Sequence, residues 1–203
     1  MSTRLDHAVG LLERSLVGTR SVLGRVGPGD LGRPTPCAAW DLAALLDHMD
    51  DSLGAYLEAS HGTLRLLPAH RAAAPTYDDP AARLRARACT LLGVWSAAAE
   101  QGLDDVELAG PGGHRVGLPA DLLVSTAALE VAVHGWDVAR SLGEPSDRDS
   151  ATGALPPDLA AALLPVARCT VACGRAEGHF ADVGAARPGA GPVETLLALV
   201  GRA

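Results

Sequence analysis

The chain has 203 residues and a net charge of −7, with 24 carboxylates set against 17 basic residues, every one of them arginine. That length can bury one substantial core, and the acidic balance excludes the positive footprint that a nucleic-acid backbone requires. Apolar residues make up 48% of the chain but aromatic ones only 3%, so Ala, Leu and Val must fill the interior, which favours close-packed helices over aromatic-rich strands.

From the N-terminus, Leu5, Val9, Leu12, Leu16, Leu23 and Val26 recur at steps of three, four and seven, which predicts an amphipathic helix over 3–26. The opening MSTRLDHAVGLLERSL lacks the apolar core of a signal peptide, and no later run is read as approaching the roughly 20 apolar residues that span a bilayer. A cytoplasmic protein is therefore expected. The segment VGPGDLGRPTPCAAW stops the first helix with its prolines and glycines, and Asp41 is placed to cap a second helix over 41–59. A proline-punctuated connection follows. AARLRARACTLLGVWSAAAEQ then predicts a third helix ending near Gly102.

Residues 104–119 hold two short runs, VEL and HRV, around PGG, a pattern for a small hairpin or an extended loop rather than a sheet. Pro119 suits the first turn of a fourth helix, ADLLVSTAALEVAVHGWDVARSLG, closed by Gly143. After a polar segment from 144 to 155, PPDLAAALLPVARCTVACGRAEG predicts a fifth helix that Pro165 should kink or divide. The tail HFADVGAARPGAGP reads as irregular, and VETLLALVGR as a last short helix docking on the others. Four cysteines without a paired CxxC indicate neither a zinc ribbon nor a disulfide framework. Cys169 and Cys173 are expected as small buried residues, and Cys37 as a packed loop residue.

The fourth helix is apolar over most of its circumference, so it should be the buried one. Its polar residues Glu130, His134, Asp137 and Ser141, at steps of four, three and four, form one seam. Burying a lone carboxylate costs several kcal/mol, on the order of what a divalent cation or a hydrogen-bonded imidazole can offset. The ExxxH spacing alone leaves both solutions open: a metal site, or a polar layer in which Glu130 and His134 bond to each other or to partners such as Arg140. His48 on the second helix lies beside the stripe Leu45, Leu46, Met49 and Leu53, with small neighbours Ala44, Ser52, Ala55 and Ala59 leaving room around it. His61, His70, His114 and His179 fall in connections, and His179 could approach a pocket if the tail folds over it.

TPCAAWDLAALLDHM at 35–49 and LEVAVHGWDVARSLGEP at 129–145 resemble two signatures of the mycothiol-dependent maleylpyruvate isomerase-like proteins of the DinB-like superfamily, and EGHFADVG with TLLALVGR is similar to their ending. The resemblance spans nearly the whole chain. It implies an all-α, DinB-like four-helix bundle with additional C-terminal helices and at most a small hairpin. The bundle, over 1–145, would bind the metal, with a helical extension over 146–203 packed on it as one compact unit. It further implies a divalent metal, zinc in the usual view, held by His48, Glu130 and His134 with a fourth position open, as at catalytic zinc sites. Asp137 would be an acceptor behind the ligands or a partner of Arg140, and Trp136 a core residue.

The activity implied is that of a metal-dependent thiol S-transferase or isomerase. A low-molecular-weight thiol, mycothiol in actinobacteria or bacillithiol in bacilli, takes the open position, loses its proton and attacks a small electrophile. Arg187 and Arg175 are the nearest candidates for anchoring a thiol carboxylate. Two other functions stay open: a thiol-independent, metal-assisted enzyme of a specialised biosynthetic pathway, and a non-catalytic metal- or ligand-binding resistance or sensor protein. Partners are expected to be a small-molecule substrate and the thiol, with no nucleic acid and no membrane, in a monomer or homodimer.

Overall fold

The computed structural model describes residues 3–37, 40–65, 79–110, 113–143, 154–176, 187 and 189–202. The polar segment from 144 to 153, His70 and His179, and the side chains of Cys173 and Arg175 lie outside the described residues.

Among the described residues, six α-helices and three short strands run in the order α1 (Thr3–Leu23), α2 (Leu42–Ala59), β1 (Thr63–Arg65), α3 (Pro80–Glu100), β2 (Asp105–Ala109), β3 (Arg115–Pro119), α4 (Ala120–Ser141), α5 (Pro157–Ala176) and α6 (Pro192–Leu199). The fold is mainly helical, as expected. α1 packs on α4, α4 on α2, α2 on α3 and α3 on α1, closing a four-helix ring, with α5 laid against α4 and α6 against α5. Capping fixes where the helices start: Asp41 accepts from the Ala44 amide at 2.9 Å and Asp79 from the Ala82 amide at 2.9 Å.

Three expectations need correction. The predicted hairpin exists as β2–β3, but β1 pairs in parallel with β2, placing Thr63 opposite Glu107 and completing a three-stranded sheet. Pairing between strands separated by a whole helix leaves no local signature. Pro165 does not divide α5; Pro165 and Ala161, whose carbonyl loses its helical partner, are both on the exposed face, where water can satisfy that oxygen. Cys169 is exposed rather than buried, because its face of α5 is turned from the core.

α4 is sandwiched by α1, α2 and α5, and its core positions are small: Ala127, Ala128, Val131 and Ala132 are all buried. At Gly135 the approach to α1 is so close that an added Cβ would collide with Thr19, whose hydroxyl donates to the Val131 carbonyl at 2.9 Å. By length and composition α4 could cross a membrane, contrary to the sequence expectation, yet 72% of its most apolar window is buried inside the protein, as in the core helix of a soluble fold. Such a helix has little room for polar groups. The ones it carries define the site.

Candidate metal centre

The loop before α2 is held against the C-terminal half of α4. Arg33 Nη1 donates to the Ser141 carbonyl at 3.3 Å, and Ser141 Oγ to the Pro34 carbonyl at 2.8 Å. Within the loop, Thr35 Oγ1 donates to the Trp40 carbonyl at 2.9 Å and the Trp40 amide to the Cys37 carbonyl at 2.8 Å. Trp40 and Cys37 are thereby set beside His134. The Trp40 ring lies 4.6 Å from that of His48 and 6.3 Å from that of His134.

On α2 and α4, His48, Glu130 and His134 come together, with one donor atom from each within 4.8 Å of the others. Glu130 Oε1 is the hub: His48 Nε2 lies 2.8 Å away, His134 Nε2 3.4 Å, and Ser52 Oγ donates from 3.2 Å. His134 Nδ1 points the opposite way, to Asp137 Oδ2 at 2.9 Å. His134 is thus fixed at both nitrogens, one toward the convergence point and one toward a buried carboxylate that sets the ring's tilt. The polar-layer alternative describes the hydrogen bonding without an ion. The same atoms also suit one, since ligand bonds of about 2.1 Å in a tetrahedron separate donors by roughly 3.4 Å.

The electrostatics belong to three coupled groups. Burial pushes the Glu130 carboxyl up, but hydrogen bonds from His134 and His48 and their charges outweigh it and hold the group far below the usual range. Burial pushes His134 down, yet hydrogen bonds to Asp137, Cys37 and Glu130 raise it to about 11. For Asp137 burial again acts upward, and His134 and Arg202 outweigh it, so its carboxyl is lowered. Without a metal, His134 is an imidazolium between two carboxylates; a cation at Nε2 would replace that proton. Tyr56 follows Ser52 by one turn on α2, and burial and the Glu130 charge raise its phenol, which keeps its proton.

A second group able to hold a cation, Cys37, His134 and Asp137, shares His134 with the first. It is already compensated: Arg202 Nη2 lies 2.9 Å from Cys37 Sγ and 3.0 Å from Asp137 Oδ2. Exposure separates the two groups further. The side chains of His48 and Glu130 are 35% and 28% exposed, those of His134 and Asp137 only 8% and 0%. Among the described residues, the side open to a further ligand is the His48–Glu130 edge.

Residues 12–139 match the family described as the mycothiol maleylpyruvate isomerase N-terminal domain. The chain belongs to this DinB-like family. No curated protein and no solved structure matches it. All three converging residues fall inside the family match, as does Asp137, whereas Arg202 falls outside it.

Of the other residues singled out from the sequence, Asp137 bonds to His134 and Arg202, while Arg140 lies over the Trp136 ring at 5.9 Å from its centroid. Trp136 is half-buried against the core. Arg187 is exposed and grips Glu194 with two hydrogen bonds of 2.8 and 3.0 Å. Arg175 lies on α5. His61 and His114 are exposed. Sequence reasoning missed Arg202, for which an arginine one residue after a glycine gives no signal. It undervalued Cys37, although that cysteine stands in the same signature as His48.

Proposed function

We propose that this protein is a divalent-metal-dependent enzyme that activates a low-molecular-weight thiol of the mycothiol type for S-transfer to, or isomerisation of, a small electrophile. The observation that carries this reading is the convergence of two imidazole nitrogens and one carboxylate oxygen at a point that, among the described residues, is open on the His48–Glu130 side. Family membership supports the choice of a thiol. His48, Glu130 and His134 would be the ligands, and zinc is the ion that suits two histidines and a carboxylate with a position left open. When bound, the ion supplies Lewis acidity that lowers the pKa of a coordinated thiol into the neutral range.

The remaining features serve that centre. Asp137 keeps His134 Nε2 turned toward the ligand point. Glu130 brings one negative charge, so that with two neutral imidazoles the ligand set leaves net positive charge to balance a thiolate. The Trp40 ring covers His48 on one side and limits water there. Tyr56 keeps its proton and can donate a hydrogen bond near Glu130. The thiol gives its proton to solvent as its sulfur adds to one carbon of an activated C=C bond, whose π pair moves onto the conjugated carbonyl oxygen as an enolate. If solvent protonates the enolate the product is an S-conjugate; if rotation about the resulting C–C single bond precedes collapse of the enolate, the C=C re-forms, the S–C bond breaks, the thiolate leaves to be reprotonated, and the product is an isomer.

Metal analysis of the native protein beside His48→Ala and Glu130→Ala tests the site: about one ion per chain is expected in the native protein and a large loss in both variants. Equal metal content in all three would sink it. Turnover of many equivalents of an electrophile by protein, zinc and thiol supports the enzyme, whereas consumption that stops at one equivalent assigns the protein a binding role instead.

A further inference from the structure

After α6 the chain turns back toward α4. The Arg202 amide donates to the Leu197 carbonyl at 2.8 Å and the Gly201 amide to the Ala198 carbonyl at 3.2 Å. This turn delivers a guanidinium whose three nitrogens are all engaged. Nε lies 3.2 Å from Asp137 Oδ1 and 3.3 Å from Oδ2; Nη2 lies 3.0 Å from Oδ2 and 2.9 Å from Cys37 Sγ; Nη1 donates to the Val200 carbonyl at 2.9 Å. The Arg202 side chain is 16% exposed and that of Asp137 not at all. Three segments remote in sequence, the loop before α2, the C-terminal part of α4 and the turn after α6, thus meet behind His134.

The consequence is mechanical. A buried carboxylate needs compensation, and a fork of two nitrogens fixes its plane as well as its charge. The plane of Asp137 sets the direction from which it accepts the His134 Nδ1 proton, and that direction sets where Nε2 points. A lysine in place of Arg202 could supply the charge but not the fork.

We infer that Arg202 is a positioning residue for the metal centre, acting through Asp137 on His134, and that docking of the turn after α6 is coupled to metal binding. The inference rests on the metal reading proposed above. Coupling of this kind is reciprocal: if the docked turn raises affinity for the ion, the ion stabilises the docked turn by the same factor.

The test uses the full chain with zinc and cobalt(II) as probes. Zinc affinity is read by competition with a chromophoric chelator, and the cobalt(II) visible spectrum reports ligand geometry. Amide exchange at Gly201 and Arg202 reports docking. Arg202→Met is expected to lower zinc affinity by about 10- to 100-fold and to shift the cobalt spectrum, with Arg202→Lys recovering only part of the loss. In the wild type, zinc should slow exchange at both amides. An Arg202→Met affinity within about twofold of wild type, or exchange indifferent to zinc, overturns the inference and leaves the metal reading intact. Wild-type protein that takes up no zinc overturns both. Should Arg202→Met fail to fold by circular dichroism, the exchange measurement on the wild type decides alone.

Discussion

Replacing Gly135 by alanine tests how α4 is seated, because one methyl group there sets two helix-level effects against each other. Alanine improves helix propensity by about 1 kcal/mol. The new Cβ, however, would overlap Thr19 Oγ1 and come within 3.0 Å of Thr19 Cβ and 3.2 Å of Cγ2. Rotating Thr19 moves one branch away only by bringing the other in, and it breaks the bond to the Val131 carbonyl, worth about 0.5–1.5 kcal/mol. Separating the helices instead costs about 1–3 kcal/mol in a packed core. With about 1–3 kcal/mol lost in the packed core against about 1 kcal/mol of propensity gained, a net loss of up to about 2 kcal/mol is expected. For a chain of this size that lowers Tm by up to roughly 8 °C, measurable by calorimetry or thermal circular dichroism. Thr19→Ala removes Oγ1 and Cγ2 and leaves the Cβ at 3.0 Å as the remaining close atom, so the double variant Gly135→Ala/Thr19→Ala should be more stable than Gly135→Ala alone. Additive losses in this double-mutant cycle would refute the steric argument.

Zinc affinity should rise about tenfold per pH unit between pH 6.5 and 8.5, because the ion displaces a proton that His134 holds up to about 11; isothermal titration across that range would expose a flat profile. In the metal-free protein, the stability contributed by His134 is fully present below about pH 6.5 and lost as pH rises through about 11, whereas that of Glu130 and Asp137 is present above the ordinary carboxylate range and lost in acid. Denaturant melts should therefore show a fall toward alkaline pH that zinc removes. Asp50, buried on α2 against Arg83 at 3.1 Å and Arg87 at 3.2 Å, should cost about 2–4 kcal/mol when changed to alanine, somewhat less than a fully buried pair because both arginines reach water; a urea midpoint equal to wild type would contradict this. Alkylation followed by mass spectrometry should modify the exposed Cys89 and Cys169 before Cys37, which is held by Arg202 and faces Asp137.

Much of the fold was legible in the sequence because its signals are local. Asp41 caps α2 where its side-chain oxygen and the following apolar spacing require it. Leu45, Leu46, Met49 and Leu53 are all buried, as their spacing demands. The seam Glu130, His134 and Asp137 was readable because polar residues one turn apart on an apolar helix must share a face. Partnership across the fold was not readable. Cys169 lies outward because α5 is covered on other faces, and β1 lies beside β2 because α3 returns the chain between them.

For the candidate centre the division is similar. The sequence by itself determined which residues carry donor atoms and that Glu130 and His134 share one helix face, since helical geometry over four residues depends on nothing distant. Only the tertiary structure decided that His48 Nε2 reaches Glu130 and that Arg202 compensates Asp137 and Cys37. Those contacts join segments 65 to 165 residues apart, and whether such segments meet is set by how whole helices pack, which no local spacing encodes.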